Sequence, residues 1–267
     1  MNGKDYENII FKVENRIATI AVNHPEVSNA INHDTLAEIV DAFEWCGQSD
    51  DVGVVIFTGV GKNFSAGGNI KNFKTSLESG KLLKAEQVAY AGESAWKICS
   101  CPKPTIAMIN GAAAGMGASL AAACDFRVFA PSSRFIMAFI NVGLSGDTGC
   151  MFYLTKLIGI AKAKEIIMTG KQVSAEEAQQ IGLATVVAES DEQLEEATYK
   201  FARKFARGPA FAYSKQKEIF SKIYYKELME YTDIECKNLE LCYAHPDFKE
   251  AVYAFCDKRF PEFGKKN

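Results

Sequence analysis

No block of one charge runs through this chain. Its formal net charge is -3, with 30 lysines and arginines against 33 aspartates and glutamates. A nucleic-acid binder carries a basic stripe, and none is present. No apolar run is long enough to span a bilayer. The longest, over 112–123, is rich in small residues and interrupted by glycine. The opening residues Met1-Asn2-Gly3-Lys4-Asp5-Tyr6-Glu7 lack the basic-then-apolar layout of a secretion signal, so a cytoplasmic protein without membrane or nucleic-acid partners is expected. Histidine is scarce: the three present (His24, His33, His245) stand far apart with no ligand spacing. The eight cysteines include no C-x-x-C pair, since one residue separates Cys99 from Cys101. No metal site is expected on that pattern. The other six (Cys46, Cys124, Cys150, Cys236, Cys242, Cys256) lie in apolar or helical stretches, as reduced, core-filling thiols do.

What is there is an ordinary globular mixture, 48% apolar and 24% charged over 267 residues. That length suits one large α/β domain, or one domain with a small helical appendage. Strand signals fall at 9–13 and 17–22, joined by a turn at 14–16. A helix follows in which Asp34 is a candidate cap and Leu36, Ile39, Val40 and Phe43 keep helical spacing. Residues 52–58 and 105–110 are apolar runs of strand length, suited to strands buried on both faces. Between them lie a polar, mobile stretch to about Gly80 and a helix over roughly 82–98, stopped by Pro102-Lys103-Pro104. Residues 125–129 and 134–137 read as further strands. From Gly149 onward the pattern is helical except for a short apolar segment at 183–187. A βα core over 1–190 and a helical region over 191–267 are expected.

Two segments share the order buried strand, glycine-rich turn, helix: Phe64-Ser65-Ala66-Gly67-Gly68-Asn69-Ile70 and Asn110-Gly111-Ala112-Ala113-Ala114-Gly115-Met116-Gly117. Glycine lets backbone approach a ligand closely, and a helix N-terminus offers unpaired N–H donors. Two such turns can aim a pair of N–H groups at one thioester oxygen. Either turn alone is equally explained by tight helix–sheet packing. Neither has the G-x-G-x-x-G pattern of a dinucleotide site.

The order of motifs is more specific than either turn. Asn23-His24-Pro25 with Asn29-Ala30, then the two turns, Lys103-Pro104, Cys124-Asp125, Ala175-Glu176-Glu177-Ala178 with Gly182-Leu183-Ala184, and finally Phe255-Cys256-Asp257-Lys258-Arg259 together resemble the crotonase (enoyl-CoA hydratase/isomerase) superfamily over nearly the whole chain. The resemblance implies an α/β fold, a crotonase-like ββα spiral core with a helical C-terminal trimerisation region, forming a homotrimer or a dimer of trimers. It implies an acyl-CoA substrate, with coenzyme A present as part of the substrate and no separate cofactor. Carried over by position, the backbone N–H groups of Gly68 and Met116 form an oxyanion hole, with Met116 standing where glycine is common. Ser28, Ala30, Ala66 and Ile70 fall at coenzyme-A-contacting positions. Phe255 and Lys258 match positions that reach a coenzyme A, often that of a neighbouring subunit; a lysine suits its phosphates.

The resemblance also bears on the chemistry. Hydratases of this superfamily usually carry two glutamates, at positions held here by Ser119 and Phe139. Neither can activate water, so hydration is disfavoured. Asp147, in Val142-Gly143-Leu144-Ser145-Gly146-Asp147-Thr148-Gly149, matches the acidic residue of enoyl-CoA isomerases and of ring-epoxide isomerases. It is the expected proton shuttle, with Met137, Phe139 and Leu144 in the acyl pocket. A helix N-cap is the competing explanation for Asp147. The two pull its pKa in opposite directions, downward at a helix N-terminus and upward in an apolar pocket. Dehalogenation through an aspartate nucleophile lacks its helix histidine and its tryptophan, here Phe139. A non-catalytic acyl-CoA binder is the remaining alternative. Glu86 and Glu93 read as a solvated face.

Overall fold

Segments apolar on both faces pair side by side to make the main sheet. The computed structural model describes residues 4–81 and 84–264, apart from the side chains of Glu86 and Gln87. Its strands are β1 (Ile9–Glu14), β2 (Ile17–Val22), β3 (Val54–Gly59), β4 (Thr105–Ile109), β5 (Ala112–Ala114), β6 (Phe126–Phe129), β7 (Arg134–Ile136), β8 (Gln172–Ser174) and β9 (Val186–Val187). Its helices are α1 (His33–Gln48), α2 (Ile70–Glu78), α3 (Ala85–Ser100), α4 (Met116–Ala123), α5 (Cys150–Ile158) and α6 (Ile160–Thr169), then α7 (Ala175–Gln180), α8 (Leu194–Ala206), α9 (Ala210–Ile219), α10 (Leu228–Ala244) and α11 (Pro246–Cys256). The main sheet has the order β1-β2-β3-β4-β6-β9, antiparallel between β1 and β2 and parallel thereafter. Helical crossovers between parallel strands bury both faces, and β3 is buried along its whole length. One face carries the large core, which includes residues of α1, α3 and α4. The other packs Ile17, Val54, Ile56, Ile106 and Val128 against Leu194, Ala202 and Ala206 of α8. A second, three-stranded sheet has the order β5-β7-β8. This is the crotonase-like α/β spiral, and α8 to α11 supply the helical C-terminal region. Among the described residues, no helix is long and apolar enough to cross a membrane.

The strands expected at 9–13, 17–22, 52–58, 105–110, 125–129 and 134–137 fall on β1, β2, β3, β4, β6 and β7. Three local expectations are corrected. The polar stretch before Gly80 contains α2: the Asn69 side chain accepts from the Lys71 N–H, and Ile70, Phe73 and Leu77 form a stripe packed on the core. Asn32, not Asp34, caps α1, accepting from the Thr35 N–H at 2.8 Å. Residues 112–114 and 172–174 are strands, because β7 pairs with each of them. Such three-residue strands carry no periodicity to read.

Gly111 marks the closest backbone approach between the turns. A Cβ there would stand 1.9 Å from the Lys62 carbonyl oxygen. Backbone cannot yield as a flexible side chain does, so Gly111→Ala is expected to cost about 3 kcal/mol or more. The midpoint of urea unfolding measures this; a midpoint unchanged from wild type would contradict it.

Candidate active site

The two glycine turns are stitched together by backbone. The Ser65 N–H donates to the Ala112 carbonyl at 3.1 Å, and the Ala114 N–H donates to the Ser65 carbonyl at 2.8 Å. The Ser65 hydroxyl donates to the Asn29 carbonyl and accepts from the Gly67 N–H. Asn29, fully buried and in the left-handed region, donates its amide to the carbonyls of Val60 and Asn63. At Gly67, φ is +79° and a Cβ would lie 2.7 Å from the Ala114 carbonyl oxygen and 3.1 Å from the Met116 nitrogen. Glycine there is what lets the turns touch. Among the described residues, neither the Gly68 nor the Met116 N–H donates to a protein acceptor.

Gly68, Met116 and Asp147 line one cavity of about 250 Å³. Phe139 and Leu144 lie on its wall, as do Ala66 and Ile70; Val88 and Ala91 of α3 and Leu239 and Tyr243 of α10 complete it. Met137 does not reach this space: it is fully buried in the core beside Phe139. Ser28 and Ala30 are not on the wall either; they build the loop that fastens to the first turn through Ser28 O and Ile31 N. Phe255 and Lys258 are exposed at the end of α11, away from the cavity. Glu93 is exposed, and the Glu86 side chain lies outside the described residues. Leu239 and Tyr243 were not anticipated, since an apolar residue on a C-terminal helix has no motif to single it out.

Asp147 does not cap α5. The cap position is Gly149, with no side-chain cap hydrogen bond from its own segment. Among the described residues, the one side-chain donor to the Asp147 carboxyl is the Thr148 hydroxyl, at 2.7 Å. Burial among apolar groups pushes its pKa up to about 6, and the Thr148 bond offsets only part of this. Ser119, at the first hydratase glutamate position, is fully buried. Its hydroxyl donates to the Gly115 carbonyl at 3.2 Å and points to the Asp147 carbonyl at 3.5 Å.

A second carboxyl, absent from every motif, stands behind the first. Glu235 of α10 is 6% exposed. It accepts from the Gly149 N–H at 3.0 Å and from the Tyr231 hydroxyl at 2.6 Å. Burial raises its pKa to about 8 against these two bonds, and the neighbouring Asp147 charge adds to the rise. Asp147 therefore ionises first. Both carboxyls hold protons more tightly folded than unfolded, where they titrate near 3.8 and 4.5. Their contribution to stability is thus full below about pH 4 and is lost as pH rises through about 6 and then 8. The decline in melting temperature between pH 5 and 8.5 is expected to be shallower in Glu235→Gln than in wild type; parallel curves would contradict the assignment.

An apolar cavity, one carboxyl that caps no helix and two neighbouring N–H groups without a protein acceptor thus come together in a crotonase-type fold. The chain belongs to the enoyl-CoA hydratase/isomerase family, whose model matches residues 12–266. It is 34% identical to the trans-2-decenoyl-[acyl-carrier-protein] isomerase of Streptococcus mutans, covering 98% of this chain and 100% of that protein. It is 33% identical to the crotonyl-CoA hydratase of Syntrophomonas wolfei, covering 98% and 99% respectively. Among solved structures it superposes on an enoyl-CoA hydratase from Mycobacterium avium subsp. paratuberculosis with a TM-score of 0.88, at 26% identity, covering 98% of this chain and 100% of that one.

Proposed function

We propose that this chain shifts a double bond between the Δ3 and Δ2 positions of an enoyl thioester, with Asp147 as the single proton shuttle. The observation that carries the reading is the Asp147 carboxyl itself: it lines the cavity, caps no helix, and has a pKa raised to about 6. In the forward direction the carboxylate removes a proton from C2 of the 3-enoyl thioester. The electron pair moves through the carbonyl to give a dienolate, whose oxygen accepts from the Gly68 and Met116 N–H groups. Protonated Asp147 then returns the same proton to C4, leaving the bond between C2 and C3. Nothing is gained or lost, so one group can serve as base and then acid.

Hydration is the second reading, supported by the Syntrophomonas relative. Against it stand Ser119, tied to backbone, and Phe139, which has no proton to move. The S. mutans relative supports a thioester carried on acyl carrier protein as well as on coenzyme A. In either case Ala66 and Ile70 on the cavity wall would meet the carrier arm, with Ser28 and Ala30 in the loop fastened behind the first turn. Phe255 and Lys258 would serve a neighbouring subunit, in a trimer or dimer of trimers formed through exposed apolar residues such as Phe211, Phe220 and Ile223.

The test is a spectrophotometric assay of 3-enoyl thioester isomerisation beside 2-enoyl thioester hydration, on both carriers. Isomerisation is expected to dominate, with kcat rising through a limb near pH 6 as Asp147 becomes the carboxylate base. Hydration exceeding isomerisation would transfer the assignment to the second reading. Activity towards neither would leave a halogenated or ring-bearing acyl group, or binding alone, as the function.

A further inference from the structure

The segment that carries Asp147 is held by residues that no motif of the family reading includes. Gly146, Thr148 and Gly149 all lie at positive φ, +120°, +61° and +71°. For a β-branched residue such as Thr148 that conformation is a true outlier, and it persists only where the surroundings over-determine it. Thr148 is fully buried. The loop leads directly into α5, whose first N–H groups need acceptors. An aspartate two residues before Gly149 is the natural supplier, yet its backbone carbonyl takes only the Cys150 N–H, at 3.1 Å, and the side-chain acceptors come from α10. The Glu235 carboxyl takes the Gly149 N–H at 3.0 Å, and the Tyr231 hydroxyl oxygen takes the Met151 N–H at 3.3 Å while donating to Glu235 at 2.6 Å. Tyr231 is pinned by its ring, which packs on Phe152 of α5 at 5.6 Å.

We propose that Glu235 and Tyr231 are positioning residues that cap α5 from outside, so that the Asp147 carboxyl stays turned to the cavity instead of folding back onto the helix. Neither lines the cavity, so neither touches the acyl group. This inference rests on the reading of Asp147 as the proton shuttle for its relevance to catalysis, though the capping geometry stands without it. The titratable groups acting on Glu235 are Asp147 from the loop, Cys150 and Tyr153 from α5, and Tyr231 and Cys236 from α10 itself. Asp147 is faced in addition by Tyr243 of α10.

The experiment is a carboxyl-carbon NMR titration of Asp147 in the substrate-free protein: wild type, Glu235→Met, Glu235→Leu and Glu235→Gln. Met and Leu fill the space without an acceptor, at nearly the same volume, and two are made so that one folded variant suffices. With the Gly149 N–H orphaned, Asp147 is expected to take it. Its midpoint then falls from about 6 by roughly one unit or more, as for carboxylates that accept backbone N–H groups. Glutamine keeps an acceptor oxygen, and the midpoint is expected to stay within about 0.3 of a unit of wild type. In parallel, kcat is expected to fall roughly tenfold or more in the apolar variants, with KM held within about threefold and most of kcat regained in Glu235→Gln. A midpoint that does not move in Met or Leu, or an equal loss of kcat in Gln, would overturn the proposal. Because the titration needs no substrate, a wild type that isomerises nothing removes the functional reading and leaves the capping result to be judged by itself.

Discussion

Asp147→Asn is expected to lower isomerisation by about 10³-fold or more while acyl-CoA affinity stays within about threefold of wild type. Asparagine matches aspartate in shape and still offers the Thr148 hydroxyl an acceptor, the bond seen at 2.7 Å. The amide cannot take a proton from C2 or return one to C4. Because one group performs both transfers, both barriers rise together, and a 10³-fold loss corresponds to about 4 kcal/mol. The alternatives separate cleanly on this variant. A binding protein loses neither affinity nor any turnover, a hydratase relying on another base keeps its rate, and either result would sink the shuttle assignment. The loop is also relieved of a buried carboxyl in this variant, so Asp147→Asn should fold at least as readily as wild type near pH 8. Loss of rate therefore cannot be charged to loss of structure, provided the melting temperature is measured beside it.

The second large effect is expected at a backbone atom. Met116 is the first residue of α4, a position where proline fits because the N–H has no helical partner. Gly115 before it has φ of +50° and ψ of -124°, the mirror image of the extended conformation that proline demands of its predecessor and one that glycine alone adopts freely. Met116→Pro therefore deletes the N–H while leaving the turn and helix in place. Removal of one donor from an oxyanion hole costs about 10²- to 10³-fold in kcat. Met116→Ala, which keeps the donor and trims the side chain, is expected to lose less than about tenfold. Equal losses in the two variants would assign the effect to the methionine side chain and remove Met116 from the oxyanion hole.

The features legible from the chain are those packed into short contiguous runs. Buried strands announce themselves as apolar runs such as 52–58, and the two glycine turns as glycine clusters after such runs. The Asp147 segment stands out because a carboxyl follows glycines just ahead of a helix. Each of these is local, so its signal survives in one dimension. The illegible features are those whose meaning comes from a distant partner. β8 is a strand because β7 lies beside it. Leu239 and Tyr243 wall the cavity because α10 returns to it. Glu235 lies 86 residues from the Gly149 it holds, and on an amphipathic helix a glutamate reads as solvated face until the packing buries it.

By itself, then, local patterning of apolar and glycine residues determined the strands, the two glycine turns and the α/β class. The order of motifs, through its resemblance to the family, determined the family and singled out Gly68, Met116 and Asp147 as candidates. Only the tertiary structure decided what Asp147 does with its carboxyl. Whether such a group caps a helix or faces a cavity depends on whether another acceptor reaches the same N–H, and here that acceptor arrives from α10. The same packing that supplies Glu235 also strips water from Asp147, and desolvation, a property of three-dimensional burial and of no sequence pattern, is what lifts its pKa into the range where a carboxyl can both take a proton and give it back.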